Sequence, residues 1–194
     1  MISISRRART SLHPAALLAF FLLACGKTPL DVLEAASTGA GGQSCASAPA
    51  ALAGSYRIRS LSSGKCLAIG GAITVNGFPA LLTAMVDDCS AQGEVYQLIP
   101  DGGFSSFQLR ATNGDNVDVE TAATADGTRV IYFTPNGLKN QRFTFSARAE
   151  RVFAMVPAHA PTSCVTEVSP EPQIFACDSA QSNQEWELLP ASCD

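Results

Sequence analysis

The sequence predicts an all-β domain made of three copies of one unit, with about twelve short strands in total. A polar-x-aromatic ending recurs as Glu94-Val95-Tyr96, Gln141-Arg142-Phe143 and Gln184-Glu185-Trp186, with aromatics 47 and 43 residues apart. Regular spacing of that size marks a structural repeat. Apolar and polar residues alternate over short runs, as in Tyr56-Arg57-Ile58, Phe107-Gln108-Leu109 and Phe153-Ala154-Met155, which is the period of half-buried strands. No stretch of this region has a convincing helical period. Three units are too few for a propeller, which typically needs at least four blades. They are enough to close around a threefold axis, each burying one apolar face against the other two.

In chain order, Ser3 to Arg9 carries three arginines and no acid, and ten apolar residues run from Ala15 to Ala24. This is a secretory n-region and h-region, too short to span a bilayer as a mature helix. Leu22-Leu23-Ala24-Cys25 resembles a bacterial lipoprotein signal, which implies removal of residues 1–24 and acylation of Cys25. An ordinary signal peptide ending near a cysteine is the competing reading. Arg6-Arg7 hints at twin-arginine export but lacks the apolar residues that usually follow such a pair. Gly26 resembles the outer-membrane sorting pattern, so the expected location is the bacterial cell envelope, held by a lipid anchor. Residues 25–52, rich in Ala, Gly and Ser, read as a flexible tether.

Removal of residues 1–24 takes away three arginines and no acid, leaving 10 basic and 17 acidic side chains and a net charge of −7. Such a chain gains nothing from counterion release on nucleic acid, so no nucleic-acid partner is expected. Electrostatic membrane binding is equally disfavoured, and attachment would rest on acyl chains.

Apart from Cys25, six cysteines remain: Cys45, Cys66, Cys89, Cys164, Cys177 and Cys193. An even number in an exported chain implies disulfides, with about fifteen possible connectivities. Cys66 and Cys89 hold the same two places in the first copy that Cys164 and Cys177 hold in the third. The middle copy has Asn116 and Pro135 there. Both members are missing together, so the expected bridges are Cys66–Cys89 and Cys164–Cys177, leaving Cys45–Cys193 to tie the ends. Zinc is the competing use, but there is no Cys-x-x-Cys pair and His159 is the one histidine beyond the signal segment, so no metal or cofactor is expected.

After its opening strand each copy turns, at Ser63-Gly64, Asn113-Gly114 or Ala160-Pro161. The second strand begins at Cys66, Asn116 or Cys164, and a further apolar strand such as Arg129 to Phe133 precedes the closing aromatic strand. Gly54-Ser55-Tyr56-Arg57-Ile58, Ser63-Gly64-Lys65-Cys66-Leu67 and Asn183-Gln184-Glu185-Trp186 resemble the ricin B-chain type of β-trefoil lectin domain. The resemblance covers residues 53–194, with repeats at about 53–100, 101–147 and 148–194. It implies that Tyr96, Phe143 and Trp186 meet in a shared core. Glu-x-Tyr and Gln-x-Phe depart from the family's Gln-x-Trp in the first two copies.

The resemblance also implies a sugar site made of an aspartate two residues after the first cysteine position, an aromatic two before the second, and an asparagine just after it. A carboxylate takes charge-assisted hydrogen bonds from hydroxyls, an aromatic ring covers the C–H face of a sugar, and an amide supplies donors. The middle copy fills every place, with Asp118, Phe133 and Asn136, and with Gln141 opening its closing motif. Tyr132 is the alternative plate if the strand register slips by one. The first copy has Ala68 and Asp87 at the aspartate and aromatic places and is expected to be inactive. The third has Thr166, Phe175 and Asp178, with Glu167 or Asp178 as a compensating acid. For Asp118 the competing reading is a solvated residue in an acidic turn.

Catalytic patterns are scarce. There is no Gly-x-Ser-x-Gly elbow or phosphate loop, His159 has no obvious partner, and the adjacent Asp87 and Asp88 would point to opposite faces of a strand. The expectation is therefore a non-enzymatic, membrane-tethered carbohydrate-binding module with glycan partners and one principal site in the middle copy. The alternative is a β-trefoil protein-interaction or inhibitor scaffold with decayed sugar sites.

Overall fold

The computed structural model describes residues 52–102 and 105–191. Cys25, Cys45 and Cys193, and with them the lipid attachment and the Cys45–Cys193 bridge, lie outside the described residues.

Each repeat contributes four strands. They are β1 (Gly54–Ser60), β2 (Cys66–Val75), β3 (Phe78–Val86) and β4 (Tyr96–Pro100) in the first. The second supplies β5 (Phe107–Arg110), β6 (Asn116–Val119), β7 (Thr128–Phe133) and β8 (Phe143–Ala149). The third supplies β9 (Val152–Pro157), β10 (Ser163–Thr166), β11 (Gln173–Ala176) and β12 (Trp186–Pro190). The outer two strands of each repeat join in a ring, all antiparallel: β1 pairs with β4, β4 with β5, β5 with β8, β8 with β9, β9 with β12, and β12 with β1. Closing the ring removes the edges that an open sheet would expose. The inner strands form three hairpins, β2–β3, β6–β7 and β10–β11, bridged where β7 pairs with β3 and with β11. A six-stranded barrel capped by three hairpins is the β-trefoil architecture that the resemblance implies.

Tyr96, Phe143 and Trp186 are each 0% exposed, so the three closing motifs deliver their rings to the core. Burial of an aromatic this size requires its polar atom to be satisfied. The Trp186 indole N–H donates to the Val165 carbonyl at 2.9 Å. Tyr96 stacks on Tyr132, with ring centroids 6.3 Å apart, and their hydroxyls hydrogen-bond to each other. This accommodates tyrosine at the first copy's closing position. It also corrects one expectation, because Tyr132 is a core residue and not a ligand plate. Side chains on β7 alternate, so Val130 and Tyr132 join the central cluster while Ile131 and Phe133 lie on the other face.

Cys66 is bonded to Cys89 and Cys164 to Cys177, with Cα atoms 5.2 and 4.9 Å apart. Where the middle repeat has no cysteines, buried Asn116 donates to Gln141 Oε1 (3.1 Å) and Gln108 Oε1 (3.0 Å) and accepts from Arg110 Nε (3.3 Å). An amide network stands in place of the bridge.

Gly93 packs beside the first disulfide, and a Cβ there would lie 2.5 Å from the Cys89 carbonyl oxygen and 3.2 Å from Cys66 Cβ. Backbone cannot yield as a flexible side chain does, so Gly93→Ala is expected to destabilise the domain by about 1–3 kcal/mol. Gly71→Ala, whose Cβ would meet nothing within 4 Å, is the control and should be far milder. Thermal denaturation of the two variants checks this, and equal melting temperatures would contradict it.

Candidate functional site

The site is built on β6 and β7. Val117 and Val119 turn into the central core, which places Asn116 and Asp118 on the opposite side of the strand. Asp118 is 3% exposed, so the solvated-turn reading does not hold. Its carboxylate accepts from Asn140 Nδ2 at 2.8 Å and from Gln141 Nε2 at 2.9 Å, with a further hydrogen bond from the Asn136 side chain. Burial nevertheless dominates, and it raises the Asp118 pKa to about 6 against the pull of the three amides.

Gln141 uses all four of its amide hydrogen-bonding positions. Nε2 donates to Asp118 and to the Thr134 carbonyl (3.1 Å), while Oε1 accepts from Asn116 Nδ2 and from the Asn136 N–H (3.0 Å). Asn136 in turn accepts from the Leu138 N–H at 2.8 Å. Gln141 therefore positions Asp118 and the Asn136 turn, and is itself buried at 0% exposure.

Asp118, Phe133 and Asn136 line one cavity of about 230 Å3, together with Ile131, Leu138, Asn140, Thr121 and Ala122. Phe133 is half-buried. The cavity also takes Val75, Asn76 and Phe78 from the first repeat. None of these lining residues is basic, and Asp118 is the one acid among them.

Two contributors were not read from the sequence. Asn140 donates to both Asp118 Oδ1 and the Val119 carbonyl (3.1 Å), which fixes its amide orientation because both partners only accept. Its Oδ1 is left buried with no hydrogen-bond partner. The repeat carries a signal for this residue, since Asn183 precedes Gln184 as Asn140 precedes Gln141, and Asn183 donates to the Glu167 carbonyl in the same way. The second contributor is the tip of the β2–β3 hairpin. Asn76 and Gly77 have φ of 52° and 84° and form the two-residue Asn-Gly turn that favours hairpins. The ten- and nine-residue strands β2 and β3 extend beyond the hairpins of the other repeats, and the pairing of Leu81 with Tyr132 and Leu82 with Ile131 lays this hairpin along β7.

The wall formed by Thr121 and Ala122 holds two consecutive non-glycine residues in left-handed backbone, with φ of 54° and 55°. Such residues are costly and concentrate at functional sites. The turn is held by Arg129, which makes two hydrogen bonds to the Glu120 carboxylate at 2.7 and 2.8 Å, and at its end by His159 Nε2 donating to the Ala123 carbonyl at 3.1 Å. His159 is thus a loop anchor.

The sister positions lack this assembly. In the first repeat Ala68 has no acceptor, Asp87 is exposed and paired with Lys65 at 3.3 Å, and Glu94 turns away to accept from the Thr112 N–H and hydroxyl, both at 2.6 Å. In the third repeat Thr166 donates its hydroxyl to the Cys164 carbonyl. Its two candidate acids are engaged elsewhere. Glu167 accepts from the Ser60 hydroxyl, and Asp178 caps the Ala180 N–H and binds Gln181.

Residues 49–133 match the family model described as a ricin-type beta-trefoil lectin domain-like domain. Over those residues, which are under half of its length, the chain is similar to that family. Solved structures share the fold over about 70% of the chain. An exo-β-1,3-galactanase from Clostridium thermocellum superposes with a TM-score of 0.60 at 21% identity, over 71% of this chain and 30% of that one. The designed threefold-symmetric protein ThreeFoil gives 0.55 at 25% identity, over 70% and 97%. A Polyporus squamosus lectin, solved with a sialylated glycan epitope, gives 0.57 at 20% identity, over 70% and 48%. The chain thus spans less than half the length of the galactanase and of the lectin. No curated protein shows significant similarity to it.

The raised pKa of Asp118 has a definite sign in stability. Below about pH 4 its carboxyl is protonated in both folded and unfolded chains, and its folded-state advantage is fully present. That advantage is lost as pH rises through about 6, by on the order of 2–3 kcal/mol. A carboxyl carbon NMR titration is expected to give a midpoint near 6, and Gln141→Ala should move it higher by removing a donor to the ionised form. A midpoint near 4 in the unmodified protein would refute the assignment.

Proposed function

We propose that this domain is a non-catalytic carbohydrate-binding module whose principal site is the cavity of the middle repeat. The observation that carries the proposal is that Asp118 and Asn140 line one cavity beside the half-buried Phe133 ring, with Asn140 Oδ1 buried and without a hydrogen-bond partner. Buried polar groups without partners are rare and call for a ligand or water. Adjacent sugar hydroxyls are donors of suitable chemistry, and Phe133 covers the C–H face. With no basic lining residue, the cavity suits neutral sugars and disfavours uronic, sialic or sulfated ones, which would meet Asp118 without a countercharge. The family match and the carbohydrate-active or sugar-bound neighbours support the same class of ligand.

One small site favours a dissociation constant on the order of 0.1–10 mM. Avidity would then come from many copies held on one membrane through an acylated Cys25, the second part of this proposal. A membrane-attached module in the cell envelope matches the lipoprotein-like signal and the tether-like composition of residues 25–52.

Asp118→Ala is expected to abolish binding on a neutral-glycan array while leaving the fold intact by circular dichroism. For the unmodified protein, affinity should fall about tenfold between pH 7 and pH 5, because only the ionised carboxylate accepts two hydroxyl protons. Failure of the unmodified protein to bind any glycan would leave the protein-interaction scaffold as the better account.

A further inference from the structure

Two of the three large hydrophobic side chains that stand exposed among the described residues, Phe78 (63%) and Leu138 (58%), border the same cavity. A cavity of about 230 Å3 falls below the roughly 300–1,000 Å3 of pockets that enclose drug-sized ligands, so it holds one sugar ring and leaves the rest of a glycan at the mouth. Phe78 sits at that mouth and belongs to another repeat. Its ring meets Phe133 edge-on, with centroids 6.5 Å apart and planes 77° apart. A flat C–H face that stacks on Phe133 therefore cannot also stack on Phe78. The exposed Phe78 ring is placed for a second group, turned by nearly a right angle from the first. Asn76, two residues away in the same hairpin tip and also lining the cavity, adds an amide that can both donate and accept.

We propose that Phe78 and Asn76 form a second subsite, contributed by the first repeat, which receives the next residue of a neutral glycan whose linkage turns successive rings out of plane. This rests on the middle-repeat cavity binding sugar, as proposed above. Asp118, Phe133 and Asn140 hold one ring, and Phe78 reads the neighbour. Extended chains with successive rings roughly coplanar, as in β1,4-linked glucose, carry their second ring past Phe78 without stacking. Kinked 1,2, 1,3 or 1,6 linkages bring its C–H face onto the ring. Phe78 is in this reading a specificity-determining residue. The hairpin insertion in the first repeat is the device that places it.

The test is titration calorimetry or ligand-observed NMR with methyl glycosides of galactose, glucose, mannose and xylose and with their disaccharides in different linkages. The full chain, Phe78→Ala, Phe78→Trp and Asp118→Ala are compared. At least one kinked disaccharide should bind about tenfold tighter than its methyl glycoside, while the β1,4-linked glucose pair gains less than about twofold. Phe78→Ala should erase that preference, weakening the disaccharide about tenfold more than it weakens the methyl glycoside. Phe78→Trp should keep it, which separates loss of the ring from damage to the hairpin. Asp118→Ala should lose both ligands. If methyl glycosides bind through Asp118 but disaccharides gain nothing, or if the gain survives Phe78→Ala, the second subsite is overturned and the sugar site stands. If no probe binds the unmodified protein, both fall.

Discussion

The middle repeat depends on the side-chain amide of Gln141. A buried amide must satisfy two donors and an acceptor with two lone pairs, and Gln141 does so with four different partners: the Asp118 carboxylate, the Thr134 carbonyl, the Asn116 side chain and the Asn136 N–H. Those partners lie on β6, at the end of β7 and in the turn that follows. One residue therefore fixes the relative position of the Asp118 carboxylate and the turn after β7. The third repeat repeats the geometry, since Gln184 donates to the Ala176 carbonyl and to Thr166 and accepts from the Asp178 N–H. The first repeat cannot, because Glu94 carries no donor when ionised. Its carboxylate serves the Thr112 turn, and the frame there relies on Cys66–Cys89.

The middle repeat has no disulfide and holds its corresponding strands with amides. A disulfide restricts the unfolded chain, whereas buried amides act in the folded state and need every partner to be present. Such a network keeps an ionisable carboxylate in a site that solvent barely reaches. Three donors lower the Asp118 pKa and burial raises it, and burial wins. A site tuned only for stability would carry a neutral residue here, as the third repeat does with Thr166, whose hydroxyl is satisfied locally. The presence of a costly carboxylate in the middle repeat is the physical argument behind the proposal that this place serves a ligand.

Much of this was legible from residue types and spacing. The threefold repeat follows from the closing aromatics, and the two inner bridges follow from cysteines lost as a pair. Asp118, Phe133 and Asn136 fall together because short β-hairpins keep register. Tyr132 is no ligand plate because strand alternation forbids a single-residue slip: with Val130 in the core, Tyr132 must follow. Asn140 went unread because a donor to a carboxylate is one of many roles open to asparagine, and only its equivalence to Asn183 distinguishes it. The contribution of the first repeat was hidden for a different reason. Asn76-Gly77 announces a hairpin, but which neighbour a hairpin tip reaches is set by strand pairing across about fifty residues of chain, such as Leu81 with Tyr132, and no local pattern encodes that.

That long-range pairing breaks the threefold symmetry where it matters. β7 is paired on both sides, near Thr128 and Arg129 by β11 and near Ile131 and Tyr132 by β3. The hairpin from the first repeat reaches the half of β7 that bears the cavity, and the one from the third reaches the half that does not. The β2–β3 hairpin needs a bulge between Ile69 and Ala72 to sustain its length, and close packing of Gly70 against the Leu82 carbonyl leaves little room for a side chain there. β6 and β10 end after four residues, whereas β2 and β3 run for ten and nine. Extending them carries Val75, Asn76 and Phe78 away from the position of Ala68 and into the neighbouring site. In the proposed reading, the same lengthened hairpin that runs past Ala68 brings Asn76 and Phe78 to the middle repeat's cavity.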